Sequence, residues 1–574
     1  MIGKRWKVTP QDDELQRRLS RELNISPLTA QLLINRGLVD TDKASAFLSP
    51  DLRDLHDPFL MKDMGVAVDR LIWALKQREK VVIYGDYDVD GMTSTSLLLL
   101  FFREIGMEVD FYIPERLKEG YGLNYDALKR LAERGAKLIV TTDSGITSSD
   151  EVAYARSLNL EVIVTDHHEV GERLPPAVAI LNPKQPGCGF PFKGLAGVGV
   201  VFNLAMALRS RLREMNFFAN GVPNIKRYLD LVAIGTVADV VPLVDENRIL
   251  VKHGLDEINR GHRKGVEALK RVSGLTNGRV RAGQVGFQLA PRLNAVGRLE
   301  RADYAVKLLI TDDEGEASEL ANYLNRENSA RQVVEQDIRL EALAMVDNGE
   351  VNGDRCLKRK GIVLSSEGWH QGVIGIVASR LVERYHHPTV MIAVDGEVGK
   401  GSARGIRGMH LLDTLKRCDG LLEQCGGHKG AAGFTIKSEN INAFREEFTR
   451  ILDQTLTDED MIPELSIDAL VSLDELDRRI VSEIENLAPF GPLNAEPILG
   501  AMDTNVFRAD VVGNNHLKMK VKQKGEAWDA IGFGLGDRHP LEGYGFDIAF
   551  SPFFDEWRGS RSLKLRIRDV HGNA

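Results

Sequence analysis

The sequence predicts an α/β protein built as two lobes joined by a long helix and followed by a small β-barrel. Three observations carry this. Short apolar, β-rich runs at 81–83, 138–140, 162–164 and 178–181 alternate with helical stretches such as TSTSLLLLFFREIG, YDALKRLAERG and SDEVAYARSLN. That alternation is the mark of βαβ units and a doubly wound parallel sheet. Residues 310–348 hold helical periodicity and abundant charge without a proline, as expected of one helix, or two, bridging lobes. After about residue 460 the chain turns to short alternating strands, HLKMKVKQKG, WDAIGFGL, YGFDIAFSPFFDEW and RSLKLRIRDV, and an OB-like barrel is the first expectation.

In chain order, residues 1–60 have helical spacing in QDDELQRRLSRELN and SPLTAQLLINRGL and read as a small helical region. The first α/β lobe spans 61–309 and the connecting helix 310–348. A second α/β lobe spans 349–458, with candidate strands at 361–364 and 388–394 and a glycine-rich stretch from 396 to 433. The barrel occupies 459–574.

With 574 residues, 43% hydrophobic and 27% charged, the composition is that of an ordinary globular protein and excludes a disordered or fibrous chain. No apolar run reaches membrane-spanning length. The N-terminus lacks the apolar core and small-residue cleavage site of a secretory signal, so a cytoplasmic location is expected. Four cysteines without a CxxC pair form neither a disulfide framework nor a thiolate zinc site. The net charge of −9 is compatible with a carboxylate cluster that binds divalent cations, and with a local basic groove on an acidic chain.

In an open parallel sheet, function sits beyond the carboxyl ends of the strands. The run at 81–83 leads into GDYDVDG with Asp86, Asp88 and Asp90; 138–140 into TTDSG with Asp143; 162–164 into TDHHE with Asp166, His167, His168 and Glu169. Asp239 follows LDLVAIGTVA, which suits a helix or a strand. So many carboxylates cannot all stay ionised in one cleft without a counter-charge. Mixed Asp and His ligands suit manganese, zinc or iron, an oxygen-rich set also magnesium, and a metal pair suits phosphoryl hydrolysis. An isolated DxD after a strand has a simpler reading as a helix N-cap, and an HH pair as surface; the coincidence of clusters at successive strand ends favours metal.

GKGSARG (399–405) lacks the Walker order, and AGVGVVFNLA (196–205) lacks dinucleotide-fingerprint spacing. Ser402, Arg404 and His428, among glycines, form either a phosphate site or a set of tight turns. In the last region Lys518, Lys520 and Lys522 alternate on one strand face, and Phe553 and Phe554 stand near Arg561, Lys564, Arg566 and Arg568. This is either edge-strand protection or a single-strand-binding surface.

YGDYDVDG, TTDSG, TDHHE and GTVADVV, in this order, resemble the DHH phosphoesterases, and GWHQGVIGIVASRL, GKGSARG and GGHKGAAGF resemble the DHHA1 domain of one of its branches. With APRLNAVGR and the OB-like tail, the resemblance extends over nearly the whole chain to the bacterial single-strand-specific exonucleases of that family. It implies 5′ to 3′ hydrolysis of single-stranded DNA to mononucleotides in recombination and repair, with two Mn2+ or Mg2+ ions. It implies Asp86, Asp88, Asp90, Asp143, His167 and Asp239 as metal ligands, Asp143 bridging. It implies His168 beside the scissile phosphate and Asp166 orienting it, the catalytic set being Asp143, His168 and Asp166. It implies Arg116, Arg298, Ser402, Arg404 and His428 as a pocket for the DNA 5′ end. Lys518, Lys520 and Arg566 are the barrel's candidate DNA contacts. Many relatives have histidine where this chain has Tyr84, which leaves Asp86 to carry that metal site or weakens it. The family also implies a single-strand-binding protein and a RecQ-type helicase as partners; a monomer is expected. Two other readings are hydrolysis of short oligonucleotides or cyclic dinucleotides, disfavoured by the extension 460–574, and a non-enzymatic DNA-binding scaffold, disfavoured by the intact carboxylates.

Overall fold

The computed structural model describes residues 3–115, 119–219, 221–297, 302–347, 359–418, 420–557 and 560–572. The chain opens with strand β1 (Arg5–Val8) and three helices, Asp13–Leu23, Pro27–Ile34 and Thr41–Leu48. Each helix is started by a side-chain cap: Asp12, Ser26 and Asp40 accept backbone N–H bonds from Leu15, Thr29 and Lys43.

The first lobe is a five-stranded, fully parallel sheet of β2 (Val81–Tyr84), β3 (Val109–Tyr112), β4 (Leu138–Thr141), β5 (Glu161–Thr165) and β6 (Ala179–Leu181), in the order β3-β2-β4-β5-β6. The expected doubly wound sheet is present. β2 and β4 are buried throughout, which is why they read as continuous apolar runs. β3 is a half-exposed edge strand, VDFY, with no such run, and the sequence pattern passes over it. Residues of β2 alternate between two cores: Val81 and Ile83 join helices 64–77 and 89–104, whereas Val82 and Tyr84 join helices 125–133 and 149–157. The segment LDLVAIGTVA is a helix, Leu229–Ala238, packed on the largely buried helix Val89–Glu104.

The connection is one 34-residue helix, Glu314–Asp347. Its Ala317, Ala321 and Leu324 belong to the core of the first lobe, and its Ile338, Ala342 and Val346 to that of the second. A helix shared by two cores couples the lobes as neither could alone.

The second lobe has β7 (Ile362–Glu367), β8 (Thr389–Asp395), β9 (Val398–Arg404), β10 (Leu422–Gly427) and β11 (Ala431–Lys437), ordered β10-β11-β9-β8-β7, with only β7 and β8 parallel. GKGSARG is thus largely a strand, and GGHKGAAGF a hairpin turn with its flanking strand. Glycine in β9 reflects close approach rather than a turn. A Cβ at Gly401 would lie 2.2 Å from the Phe434 ring.

β12 (Glu464–Ile467) pairs in parallel with β1, and β13 (Ala469–Leu470) leads into the last sheet. There β14 (Leu499–Val512), β15 (His516–Gln523), β16 (Glu526–Gly532), β17 (Gly543–Trp557) and β18 (Ser560–Gly572) run β14-β15-β16-β18-β17, and β17 pairs back onto β14. Closure, with β16 parallel to β18, gives the five-stranded barrel of an OB fold. Leu32, Leu33 and Ala44 lie in the barrel's core cluster, so the N-terminal helices cap a barrel built from the other end of the chain. The buried Arg248 donates to the carbonyls of Phe47, Asn486 and Leu487, tying the first lobe to both. Among the described residues no helix is long and apolar enough to cross a membrane.

Candidate metal centre

Sheet order reverses at β2, with β3 on one side and β4 on the other. At such a switch point the loops beyond the carboxyl ends part and leave a crevice. GDYDVDG leaves β2 and TTDSG leaves β4 at that crevice.

Asp88 is the N-cap of helix Val89–Glu104, accepting the Gly91 N–H at 3.0 Å. The capping and metal readings are therefore compatible, because the cap uses one oxygen. Asp90, in the first turn, is buried; its oxygens accept the N–H groups of Gly197 (2.6 Å) and Val198 (2.9 Å) at the start of helix Gly197–Glu214. The positive end of that helix favours a carboxylate there. Asp143 adopts a left-handed backbone, φ +59°, rare for a non-glycine residue. His167 presents Nε2 at 3.1 Å from Asp143 Oδ1, 3.4 Å from Asp239 Oδ2 and 3.9 Å from Asp90 Oδ2.

Three ligand sets emerge, Asp86–Asp88–Asp143, Asp143–His167–His168 and Asp90–His167–Asp239, each with its ligating atoms within 4.8 Å of one another. Asp143 and His167 are each shared by two sets. Asp143 Oδ1, His167 Nε2 and Asp239 Oδ2 are buried without a hydrogen-bond partner. Orphaned acceptors facing one another are costly unless a cation occupies the space between them. The donor set, oxygen-rich with His167 in two of the three groups and His168 in one, fits Mn2+ or Mg2+. The charge pattern agrees. Burial and Asp88 push the Asp90 carboxyl up to about 7; burial, Asp90 and Asp88 push Asp239 up to about 9. Asp143 also lies well above the carboxylate range, through burial and Asp90. Burial holds His167 down at about 4, a neutral ligand.

His168 behaves differently. Its Nδ1 lies 2.7 Å from Asp166 Oδ1, and Asp166 is itself fixed by the N–H groups of Ile146, His167 and His168. Burial opposes charge on His168, but the bond to Asp166 outweighs it and raises His168 to about 9, an imidazolium at neutral pH. Its side chain is 40% exposed, open to a ligand.

The sequence reading missed the residues that shape this centre. Gly197 belongs to AGVGVVF; a Cβ there would lie 2.9 Å from Asp143 Oδ1 and 3.0 Å from Asp90 Oδ2. A Cβ at Gly235 would lie 2.3 Å from Thr93 Oγ1 and 3.0 Å from Asp90 Oδ1. The one available signal was glycine inside apolar helical runs. Tyr121, also missed, donates its hydroxyl to the Asp143 carbonyl (3.1 Å) and stands 3.2 Å from His168 Nδ1. Tyr84 has its hydroxyl engaged elsewhere. It is fully buried in the opposite core, its hydroxyl donating to the Gly122 carbonyl (3.3 Å).

Of the expected 5′-end pocket, Arg116 and Arg298 lie outside the described residues. Ser402 and Arg404 are neighbours on β9, Arg404 Nη1 donating to Ser402 Oγ (3.2 Å). Both face the first turn of helix Ile374–Tyr385: a Cβ at Gly375 would come within 2.8 Å of Ser402 Oγ and of Arg404 Nη2. A hydroxyl, a guanidinium and a helix N-terminus are groups of the kind that recognise anions. His428 is exposed at the β10–β11 turn, where the Gly405 N–H donates to the Gly430 carbonyl and so brings that turn to the end of β9. On the barrel, Lys518, Lys520 and Lys522 point outward while Leu517, Met519 and Val521 point in. Lys520 is paired with Asp529 (2.8 Å), and Arg566 with Glu496 (3.1 Å) while its guanidinium lies over Phe553.

Comparison with known proteins matches the DHH family, N-terminal domain, to residues 80–236, the DHHA1 domain to 358–454 and the RecJ OB domain to 467–569. The chain is 42% identical over 574 residues to the single-stranded-DNA-specific exonuclease RecJ of Bacillus subtilis, covering 99% of this chain and 70% of that protein. It is 36% identical over 566 residues to the Escherichia coli protein of the same name, covering 95% and 96%. The structure superposes on RecJ in complex with Mn2+ from Thermus thermophilus with a TM-score of 0.83 and 29% identity, over 99% of this chain and 80% of that one. With three domains matched and near-full-length identity of this size, the chain belongs to the RecJ family of single-stranded-DNA-specific exonucleases.

Proposed function

We propose that this chain is a metal-dependent exonuclease that hydrolyses single-stranded DNA from the 5′ end to mononucleotides, in recombination and repair. The observation that carries the reading is the buried convergence of Asp90, Asp143 and Asp239 on His167 Nε2, with Asp86 and Asp88 sharing Asp143 from the other side. Asp86, Asp88, Asp90, Asp143, His167 and Asp239 would hold two divalent ions. Bound there, the ions would supply Lewis-acid neutralisation of the phosphate and acidify the attacking water.

The chain's own residues do the rest. The Asp166-held imidazolium of His168 donates to a phosphate oxygen, a charge-assisted bond that strengthens as negative charge builds. Ser402, Arg404 and the N-terminus of helix Ile374–Tyr385 hold the terminal 5′-phosphate, joined by Arg116, Arg298 and His428 on the family resemblance. Water attacks the next phosphorus in line and the bond to the 3′-oxygen breaks. Each cut leaves a new 5′-phosphate on the shortened strand, so the same pocket re-engages and polarity follows. Lys518, Lys520 and Arg566 are the proposed barrel contacts to the strand. The family resemblance extends the proposal to a cytoplasmic monomer working beside a single-strand-binding protein and a RecQ-type helicase.

The test is one single strand labelled separately at each end, with Mn2+, beside its duplex. Mononucleotides released first from the 5′ label, on single strand alone, are the expected result. Loss of the 3′ label first, or cutting confined to very short oligomers, overturns the substrate assignment while leaving the metal centre standing.

A further inference from the structure

We infer that Tyr84, Tyr112, Glu119 and Arg130 form a positioning clamp that sets the Tyr121 hydroxyl against Asp143 and His168. The inference deepens the exonuclease reading and rests on it.

Tyr121 reaches the metal centre from the segment that joins β3 to helix Tyr125–Glu133. It stands between Gly120 (φ +79°) and Gly122 (φ +84°), two left-handed turns that project its ring from the segment. The described part of that segment has no strand or helix of its own to hold it. The Glu119 carboxylate supplies the anchor. It accepts the Tyr112 hydroxyl (2.7 and 2.8 Å), the Glu115 N–H (2.9 Å) and Arg130 Nη2 (2.8 Å). Arg130 also donates to the Tyr112 oxygen (2.8 Å) and closes the triangle. Tyr112 ends β3 and Arg130 lies on the following helix, so the segment is fixed to the elements on both sides of it. From below, the buried Tyr84 hydroxyl donates to the Gly122 carbonyl, and its ring lies 5.2 Å from that of Tyr112. Tyr84 thus has a defined place in this assembly.

At the other end one assignment of protons satisfies every contact. Tyr121 O–H donates to the Asp143 carbonyl, His168 Nδ1–H donates to Asp166, and the Tyr121 oxygen lies within reach of the same N–H. Tyr121 therefore braces the backbone of the ligand with the left-handed conformation and the edge of the imidazole at once. A displacement of about 1 Å at such a point costs about 10²-fold in rate.

The experiment is steady-state exonuclease kinetics on the full chain with Mn2+ and 5′-phosphorylated single-stranded DNA. The variants are Glu119→Ala, Glu119→Gln, Tyr84→Phe, Tyr121→Phe and the Glu119→Ala/Tyr121→Phe double variant, with thermal melting of each. Glu119→Ala should lower kcat by about tenfold or more with KM within about twofold, the split expected when orientation and not binding is lost. Glu119→Gln, which keeps an acceptor for Tyr112, should recover most of that loss. Tyr84→Phe should lower kcat by about threefold, the size of one neutral hydrogen bond. The double variant should be no slower than the worse single one, because both changes act through the same hydroxyl. Multiplying losses, a change in KM alone, or a Glu119→Ala chain with a lower melting temperature and wild-type kcat would each overturn the clamp. A wild-type chain that leaves the DNA intact overturns the exonuclease reading itself, a result distinct from an active wild type with indifferent variants.

Discussion

The two ends of the proposed DNA path are built differently. At the metal centre the side chains are buried and held from several directions: Asp90 by two helix N–H groups, Asp166 by three N–H groups and His168, Asp143 by a strained backbone and Tyr121. On the barrel the basic side chains are outward-facing and several are already paired, Lys520 with Asp529, Arg566 and Arg568 with Glu496. The second lobe lies between these extremes, with Arg404 partly buried against Ser402. Chemistry demands pre-organisation and is housed where the fold fixes every rotamer. Holding a flexible strand demands only net positive potential, and exposed charges that exchange partners suffice.

The contrast is open to test, from the largest expected effect to the smallest. Asp143→Ala removes the carboxylate shared by two ligand sets, and turnover should fall by about 10³-fold or more, as for residues that act as a unit. Isothermal titration with Mn2+ should show a site lost in the same variant; wild-type turnover would sink the shared-ligand assignment. Arg404→Ala should raise KM for 5′-phosphorylated strands by about 10- to 100-fold, the worth of a charge-assisted hydrogen bond. With 5′-hydroxyl strands the change should be small. Equal losses on both substrates would remove Arg404 from the phosphate site.

Stability against pH separates the regions as well. An acid whose folded pKa lies above its unfolded value binds more protons folded than unfolded, so stability falls as pH rises through that window. His167, depressed to about 4, acts in the opposite sense below its ordinary 6.5. Above 6.5 the raised Asp90, Asp239 and His168 all act one way. The metal-free chain should therefore lose melting temperature from pH 6.5 to 9, and Mn2+ should flatten or reverse that slope. A pH-independent melting temperature without metal would contradict the coupling of these carboxylates. The smallest effect belongs to the barrel. Lys518→Ala should weaken single-strand binding by about threefold and reduce the salt slope by about one ion or less, read by fluorescence anisotropy at several salt concentrations. Arg566→Ala should do less, because Glu496 already holds that charge. A larger loss at Arg566 than at Arg404 would invert the comparison.

The sequence was informative wherever a residue type and its place along the chain coincide. β2, β4 and β5 are buried apolar runs, each with its ligand residues next in the chain, so strands and ligands were readable together. The long helix was readable because charge and periodicity persist without a proline. β3, half-exposed at the sheet edge, and β9, with Gly399 and Gly401 packed against Ile436 and Phe434, carry no such pattern. Nor does sequence periodicity tell that β1 pairs with β12 or that Leu32 sits in the core of a barrel formed by the last strands of the chain.

By itself, then, the sequence carried the fold class and the metal-binding reading, because carboxylates and imidazoles gather after successive buried strands, whereas the set of six candidate ligands came from the family resemblance. Tertiary structure decided which of them share a space, and it did so by bringing Gly197, Gly235 and Tyr121 to them from distant segments. It also decided what Tyr84 does. A tyrosine in a metal motif reads as a poor ligand until the alternation of β2 turns it into the opposite core, where its hydroxyl meets the Gly122 carbonyl. Local sequence fixes the chemistry that a side chain offers, whereas the partner that receives it depends on chain segments whose spacing no local pattern records.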